Sequence, residues 1–129
     1  MSRLNRTGAR LMHKYHAHAA TDVTGFGILG HAQNLASNQL ADVDIELSRL
    51  PTFRHTAAID AKINDAFRLR LGYSAETSGG LLICLPTEHA AAFCAEIEAI
   101  DGVPAWIVGR VVQGTKQARL MPDLELFQV

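Results

Sequence analysis

Apolar residues fall along this chain in segments that switch between a helical and an extended spacing. Arg3 to Tyr15 combines good helix formers with an imperfect apolar face at Leu4, Leu11, Met12 and Tyr15, which predicts a helix. His31 to Ser37 reads as a second helix, entered through the Gly-rich passage Thr24-Gly25-Phe26-Gly27-Ile28-Leu29-Gly30. Val43, Ile45 and Leu47 alternate with Asp42, Asp44, Glu46 and Ser48, a period of two that predicts a strand with one solvated face, closed by Pro51. Ile59, Ile63, Phe67 and Leu71 then recur every fourth residue. They predict a longer helix with one buried stripe, stopped by Gly72.

Leu81 to Leu85 shows no alternation at all and predicts a strand covered on both faces. Pro86-Thr87 opens a further helix with Ala90, Phe93, Cys94, Ile97 and Ile100 on its apolar side, and Asp101-Gly102 ends it. Ala105 to Val112 and Gln117 to Met121 read as strands joined by a Gln113-Gly114-Thr115 turn, with a last short strand over Leu124 to Val129. Phe93 and Trp106 read as core residues. The expected fold is a single α/β domain over residues 1–129, with a sheet whose central strand has helices on both faces.

Length and composition narrow the class. The chain has 129 residues, 48% of them hydrophobic, which suffices for a packed core and excludes general disorder. Twelve Lys+Arg against 13 Asp+Glu leave no basic excess to hold nucleic acid. No apolar run approaches the roughly 18–20 residues of a membrane helix, and Met1 to Arg10 carries arginines with no apolar stretch behind them, so neither a membrane protein nor a secreted one is expected. Cys84 and Cys94 lie in apolar stretches, as core thiols do, without the basic neighbours of a nucleophile. A soluble, cytoplasmic domain is the expectation.

The chemistry is concentrated in Ala20-Thr21-Asp22-Val23-Thr24-Gly25-Phe26-Gly27-Ile28-Leu29-Gly30-His31. Glycines at a helix entry let backbone approach a ligand, and the amides and dipole there favour an anion such as a phosphate. Asp22 is placed to hold a hard cation against that phosphate, with the Thr21 and Thr24 hydroxyls as extra donors or as a helix cap. One carboxylate cannot bind Mg²⁺ usefully, since octahedral oxygen coordination needs further ligands. Two other readings of the glycines compete. They allow a tight helix–sheet contact, or Gly25-x-Gly27-x-x-Gly30 with Asp42 or Asp44 forms a dinucleotide fingerprint, although no apolar strand directly precedes it. The cluster His13, His16 and His18 lacks a cysteine or carboxylate to complete a zinc set. His31 reads as a packing or hydrogen-bonding residue. The loop Ser74-Ala75-Glu76-Thr77-Ser78-Gly79-Gly80 suits either a ligand-facing loop or a plain turn.

The segment Thr21 to His31, together with Glu76-Thr77-Ser78-Gly79-Gly80-Leu81-Leu82-Ile83 and Ala105-Trp106-Ile107-Val108-Gly109, closely resembles selenophosphate synthetase (selenide, water dikinase), and the resemblance covers nearly the whole chain. The flanks Leu4-Asn5-Arg6-Thr7 and His16-Ala17-His18-Ala19-Ala20 resemble the animal-type members. The resemblance implies the C-terminal domain of the aminoimidazole ribonucleotide synthetase-like superfamily, a three-layer α/β/α sandwich with a mixed sheet and partial ferredoxin-like topology. It implies a parent enzyme, a cytoplasmic homodimer, that turns selenide, ATP and water into selenophosphate, AMP and phosphate with Mg²⁺, for selenocysteine synthesis. The nucleophile, the essential lysine and most metal-binding aspartates belong to the N-terminal ATP-binding domain, so no catalytic residue is expected in this chain. Asp22 inherits the metal-binding role, and Thr21, Thr24, Gly25 and Gly27 line the phosphate end of the site. Bacterial members carry Asp-Pro-Gln where this chain has Ser74-Ala75-Glu76, so no ligand role is carried over to that loop. The rival expectation is a non-catalytic interaction or regulatory module that keeps the fold.

Overall fold

The computed structural model of the chain describes residues 5–74 and 79–129. The Ala75–Ser78 part of the loop ahead of the Gly79-Gly80 pair, Glu76 included, lies outside the described residues. The elements follow as α1 (Arg6–Lys14), β1 (Ala19–Asp22), α2 (Gly27–Ser37), β2 (Val43–Thr52), α3 (Thr56–Lys62), a 3₁₀ turn (Leu69–Leu71), β3 (Leu81–Cys84), α4 (Thr87–Asp101), β4 (Gly109–Gln113) and β5 (Ala118–Gln128). This is an α/β fold whose strands form an antiparallel ribbon, β1–β3, and a mixed three-stranded sheet in the order β4-β2-β5.

Two apolar clusters hold these pieces together. In the first, Ala32 and Ala36 of α2 are fully buried against Ile45 and Leu47 of β2 and Leu82 of β3. Small residues on α2 let its backbone lie close to strands of both the ribbon and the sheet. The second cluster joins Leu11 of α1 to Phe93 and Ile97 of α4. Strand β3 serves both: Leu82 and Cys84 pack into the first cluster, while Ile83, and Leu85 just past the strand, pack against the second. Its unbroken apolar run is therefore explained by helices on both faces, as expected. Helix α4 ends at Gly102, in the left-handed conformation that suits a helix stop (φ 68°).

Strand β2 departs from its expected solvated face. Asp44 and Glu46 are buried, at 4% and 7% exposure. The Asp44 carboxylate accepts hydrogen bonds from the backbone N–H groups of Thr115 (2.7 Å) and Gln117 (2.9 Å) and from Arg119 (2.7 Å). Glu46 accepts from Arg119 (2.6 Å) and Arg110 (2.7 Å). A sequence pattern of alternating charge reports polarity, not exposure; here cations from both neighbouring strands cover the acids. These donors hold both carboxyls below their ordinary range, the backbone amides contributing most for Asp44 and Arg119 most for Glu46.

The turn at Gln113-Gly114-Thr115 also differs from a simple hairpin. β4 pairs antiparallel with β2 and β5 pairs parallel with it, so β2 lies between the two strands that the turn connects. The turn arches over the start of β2, with Asp44 beneath it. A side chain at Gly114 would collide with the Asp44 carboxylate. The two C-terminal strands expected at 117–121 and 124–129 are one strand, β5, with an irregularity. Its register jumps from Leu47↔Leu120 to Arg49↔Glu125, leaving a stretch that contains Pro122 without ladder partners. Pro51 does not close β2, which continues to Thr52. The partner β4 has already ended at that point, so Pro51 sits on an edge, where no N–H is needed on that side.

The long helix expected after Pro51 is short. α3 stops at Lys62, and Asn64, Asp65 and Arg68 take left-handed backbone conformations that no helix continues through. The buried residue there is Asp60, whose carboxylate accepts from the N–H groups of Phe67 (2.7 Å) and Leu69 (3.1 Å) and folds the chain back. Ile59, Ile63, Phe67 and Leu71 are exposed rather than buried. Trp106 is also partly exposed, edge-on to Phe127 at the sheet, whereas Phe93 is core.

Two stability tests follow from this packing. Leu47→Ala removes a side chain that is 1% exposed between α2 and β2 and is expected to cost about 3 kcal/mol in urea unfolding. Because the Asp44 and Glu46 carboxyls are lowered in the folded state, their contribution is complete above the ordinary carboxylate range and is lost as pH falls from that range through their lowered folded-state values. Arg119→Met should therefore lower Tm most near neutral pH and leave a smaller further drop than the parent shows between pH 6 and pH 3.

Candidate functional site

The site is built where β1 runs out and α2 begins. β1 is held by its pairing with β3, Asp22 facing Leu81, and by a hydrogen bond from the Val23 N–H to the Gly80 carbonyl (3.1 Å). Beyond it the chain turns through Thr24-Gly25-Phe26 into α2. Asp22 ends the strand with its side chain 58% exposed. The Thr21 and Thr24 hydroxyls lie on either side of its carboxylate, each 3.4 Å from one oxygen.

His31 organises this turn from below. It lies one turn into α2 and is buried. Its Nε2 accepts from the Thr24 backbone N–H (3.0 Å) and is 3.1 Å from the Thr24 hydroxyl. A neutral imidazole accepting at Nε2 carries its proton on Nδ1, and Nδ1 faces Asp22 with 3.6 Å between it and the nearer oxygen. One ring thus ties Thr24 to the helix and sets a nitrogen beside Asp22. The expectation of a hydrogen-bonding histidine holds, but its link to Asp22 was not read from the sequence. The available signal is a histidine one helical turn past Gly27.

The three glycines have separate tasks. Gly27 has φ +69°, and a side chain there would come within 2.6 Å of the Gly72 carbonyl and of Tyr73. That close approach carries a hydrogen bond from the Leu29 N–H to the Gly72 oxygen (2.9 Å). Gly30 gives room to Phe26, whose ring tilts over His31 at 5.5 Å between centroids. Only Gly25 of the three faces open space, with no atom within 4 Å of where its Cβ would be. Tight packing thus explains Gly27 and Gly30, whereas Gly25 faces open space. The Gly27 N–H is bonded to the Thr24 carbonyl (3.1 Å). Thr24 does not cap α2: the N-cap is Phe26, without a side-chain cap bond.

As a cation site the turn is partial. A carboxylate with two hydroxyls offers hard oxygen donors of the kind Mg²⁺ prefers. Among the described residues no group of three or more His, Cys, Asp or Glu side chains converges to hold a metal. Asp22 thus has no second carboxylate, cysteine or histidine set around it among the described residues, and His13, His16 and His18 form no such group either; the His16 ring lies 6.3 Å from that of His89. Cys84 and Cys94 are free thiols pushed above their ordinary pKa by burial, which makes them poor nucleophiles, as expected. No helix of the described residues is long and apolar enough to cross a membrane.

Comparison with known proteins agrees with the resemblance. Residues 1–121 match the family described as AIR synthase related protein, C-terminal domain. The chain is 58% identical over 112 residues to a selenide, water dikinase of Dictyostelium discoideum, covering 87% of this chain and 31% of that protein. It is 57% identical over 143 residues to the selenide, water dikinase of Leishmania major, covering 100% of this chain and 36% of that protein. It is 52% identical over 132 residues to selenide, water dikinase 2 of Homo sapiens, covering 100% of this chain and 29% of that protein. The chain thus spans about a third of the length of the curated relatives it matches. With an α/β fold, a glycine-built helix entry and these matches along its length, the chain belongs to the AIR synthase related protein, C-terminal domain family, and its similarity there is to the selenide, water dikinases.

Proposed function

We propose that this chain serves as the C-terminal portion of an ATP-dependent selenophosphate synthetase, contributing Asp22 to a Mg²⁺–ATP phosphate site completed by the rest of such a protein. The observation that carries the reading is the exposed Asp22 carboxylate, flanked by two threonine hydroxyls and steadied by a buried histidine, in a chain this similar to selenide, water dikinases. The reaction is selenide, ATP and water giving selenophosphate, AMP and phosphate. Mg²⁺ in such chemistry neutralises phosphate charge and orients the transferring group.

The chain's own residues have supporting tasks. Asp22 presents oxygen ligands at the end of a paired strand, a rigid mount. Thr21 and Thr24 place hydroxyl donors beside it, Gly25 leaves space for a phosphate to approach, and Gly27 anchors the helix entry. His31 is a positioning residue: it acts through Thr24 and Asp22. None of these groups is a nucleophile or a poised general base, so the chain alone should form no selenophosphate.

A chimera in which this chain replaces the matching third of the Leishmania major relative tests the reading. AMP release is expected from the chimera and not from the isolated chain. Asp22→Ala should lower it by roughly 100-fold or more with an unchanged melting temperature. A silent chimera, or one indifferent to Asp22→Ala, would favour the non-catalytic module instead.

His31→Leu keeps the bulk and strands the Thr24 N–H. It should lower Tm and weaken Mg²⁺–ATP use about 10–100-fold, chiefly through KM for ATP. A Tm loss with unaltered KM would reduce His31 to a packing residue.

A further inference from the structure

The segment from Phe53 to Tyr73 displays Phe53, Ile59, Ile63, Phe67, Leu71 and Tyr73, each at least 40% exposed and Phe53 72%. Isolated apolar residues on a surface need no explanation, but six within 21 consecutive positions mark an interaction face. Ile59, Ile63, Phe67 and Leu71 do not share one helix, since α3 ends at Lys62 and Asn64, Asp65 and Arg68 turn the chain, so it is the exposure of each within one short segment that counts, not their spacing. The face is built rather than loose. The buried Asp60 carboxylate holds the Phe67 and Leu69 amides, and Arg68 lies over the Tyr73 ring at 4.9 Å. It also adjoins the candidate site, since Gly72 and Tyr73 pack directly on Gly27.

Charge and length indicate what covers it. The same segment carries Arg54, Lys62, Arg68 and Arg70 against Asp60 and Asp65, and Asp60 is buried and occupied, so its rim is basic in a chain of net charge −1. A second copy docked face to face would set that basic rim against itself. The relatives, by contrast, carry about two thirds of their length beyond the part this chain matches. We infer that the Phe53–Tyr73 face docks onto the remaining part of a selenide, water dikinase-type protein, on a surface with an apolar centre and acidic surround. This rests on the proposed function's assumption that the chain works with such a body, and it adds the surface through which it does so.

Thiol labelling tests it without reading turnover, so its failure is separate from a failure of the Asp22 assignment. Ile63→Cys in the isolated chain should react with a maleimide at the rate of an open thiol, scored by peptide mass. In the Leishmania major chimera the same thiol should be protected at least 10-fold, while Leu40→Cys, at a fully exposed position outside the Phe53–Tyr73 segment, labels equally in both. Ile63→Glu should lower the melting temperature of the chimera and leave that of the isolated chain unchanged. Equal labelling of Ile63→Cys in both settings overturns the inference. So does protection in the isolated chain that rises with its concentration, which would make a second copy the occupant.

Discussion

The entry of α2 is set by backbone pressed against backbone. Gly27 sits against Gly72 and Tyr73 with no room for a side chain, and the Leu29 N–H reaches the Gly72 carbonyl across that contact. Such a contact has almost no tolerance, because neither partner has a rotamer through which to yield. It fixes where α2 begins, and the depth of α2 is fixed in turn by Ala32 and Ala36 against both sheets. Once both are set, His31 can occupy only one place, under Thr24 and beside Asp22. The position of an exposed carboxylate is thus decided by packing some distance from it.

A second theme is how this small domain treats buried acids. Asp44, Glu46 and Asp60 are all removed from water, and each is answered by donors rather than left alone: amides and arginine for Asp44, two arginines for Glu46, two amides for Asp60. Asp60 uses backbone donors alone, Glu46 side-chain donors alone, and Asp44 both. Where a carboxylate organises backbone amides it shapes a loop, and the arch over β2 and the turn after α3 are both of that kind. Asp22, by contrast, has only long contacts with neighbouring hydroxyls and the imidazole, and stays accessible.

Much of this was readable in the sequence, for identifiable reasons. The unbroken run at Leu81 to Leu85 correctly implied a strand with cover on both faces, because continuous apolarity has few other uses in a short strand. Pro86-Thr87 and Asp101-Gly102 bounded α4 because stop and start chemistry is local. What failed was non-local. Whether Asp44 and Glu46 meet water depends on Arg110 and Arg119, more than sixty residues away. The Ile59–Leu71 spacing suggests one long helix, but the Asp60 carboxylate takes the Phe67 and Leu69 amides and turns the chain after Lys62, a side-chain contact that periodicity does not record. In the candidate site, Asp22 and Gly25 stood out through residue type. The separate work of Gly27 and Gly30 depended on Gly72 and on the Phe26 ring, which no local pattern announces.

The placement of β2 between β4 and β5 bears on how the domain is made. Both neighbours of this strand come from the C-terminal end of the chain, Ile45 pairing with Ala118 and Thr52 with Gln128. All the helices of the described residues precede them in synthesis order. On the ribosome, β2 must therefore wait with its ladder edges bare until the last strands emerge, while α1, the β1–β3 ribbon and α4 can already assemble around Leu11, Phe93 and Ile97. Long-range pairing of this kind slows folding and leaves a sheet edge open to other chains in the interval. The acids at Asp44 and Glu46 put two negative charges on that waiting strand, which keeps it from pairing with copies of itself until Arg110 and Arg119 arrive.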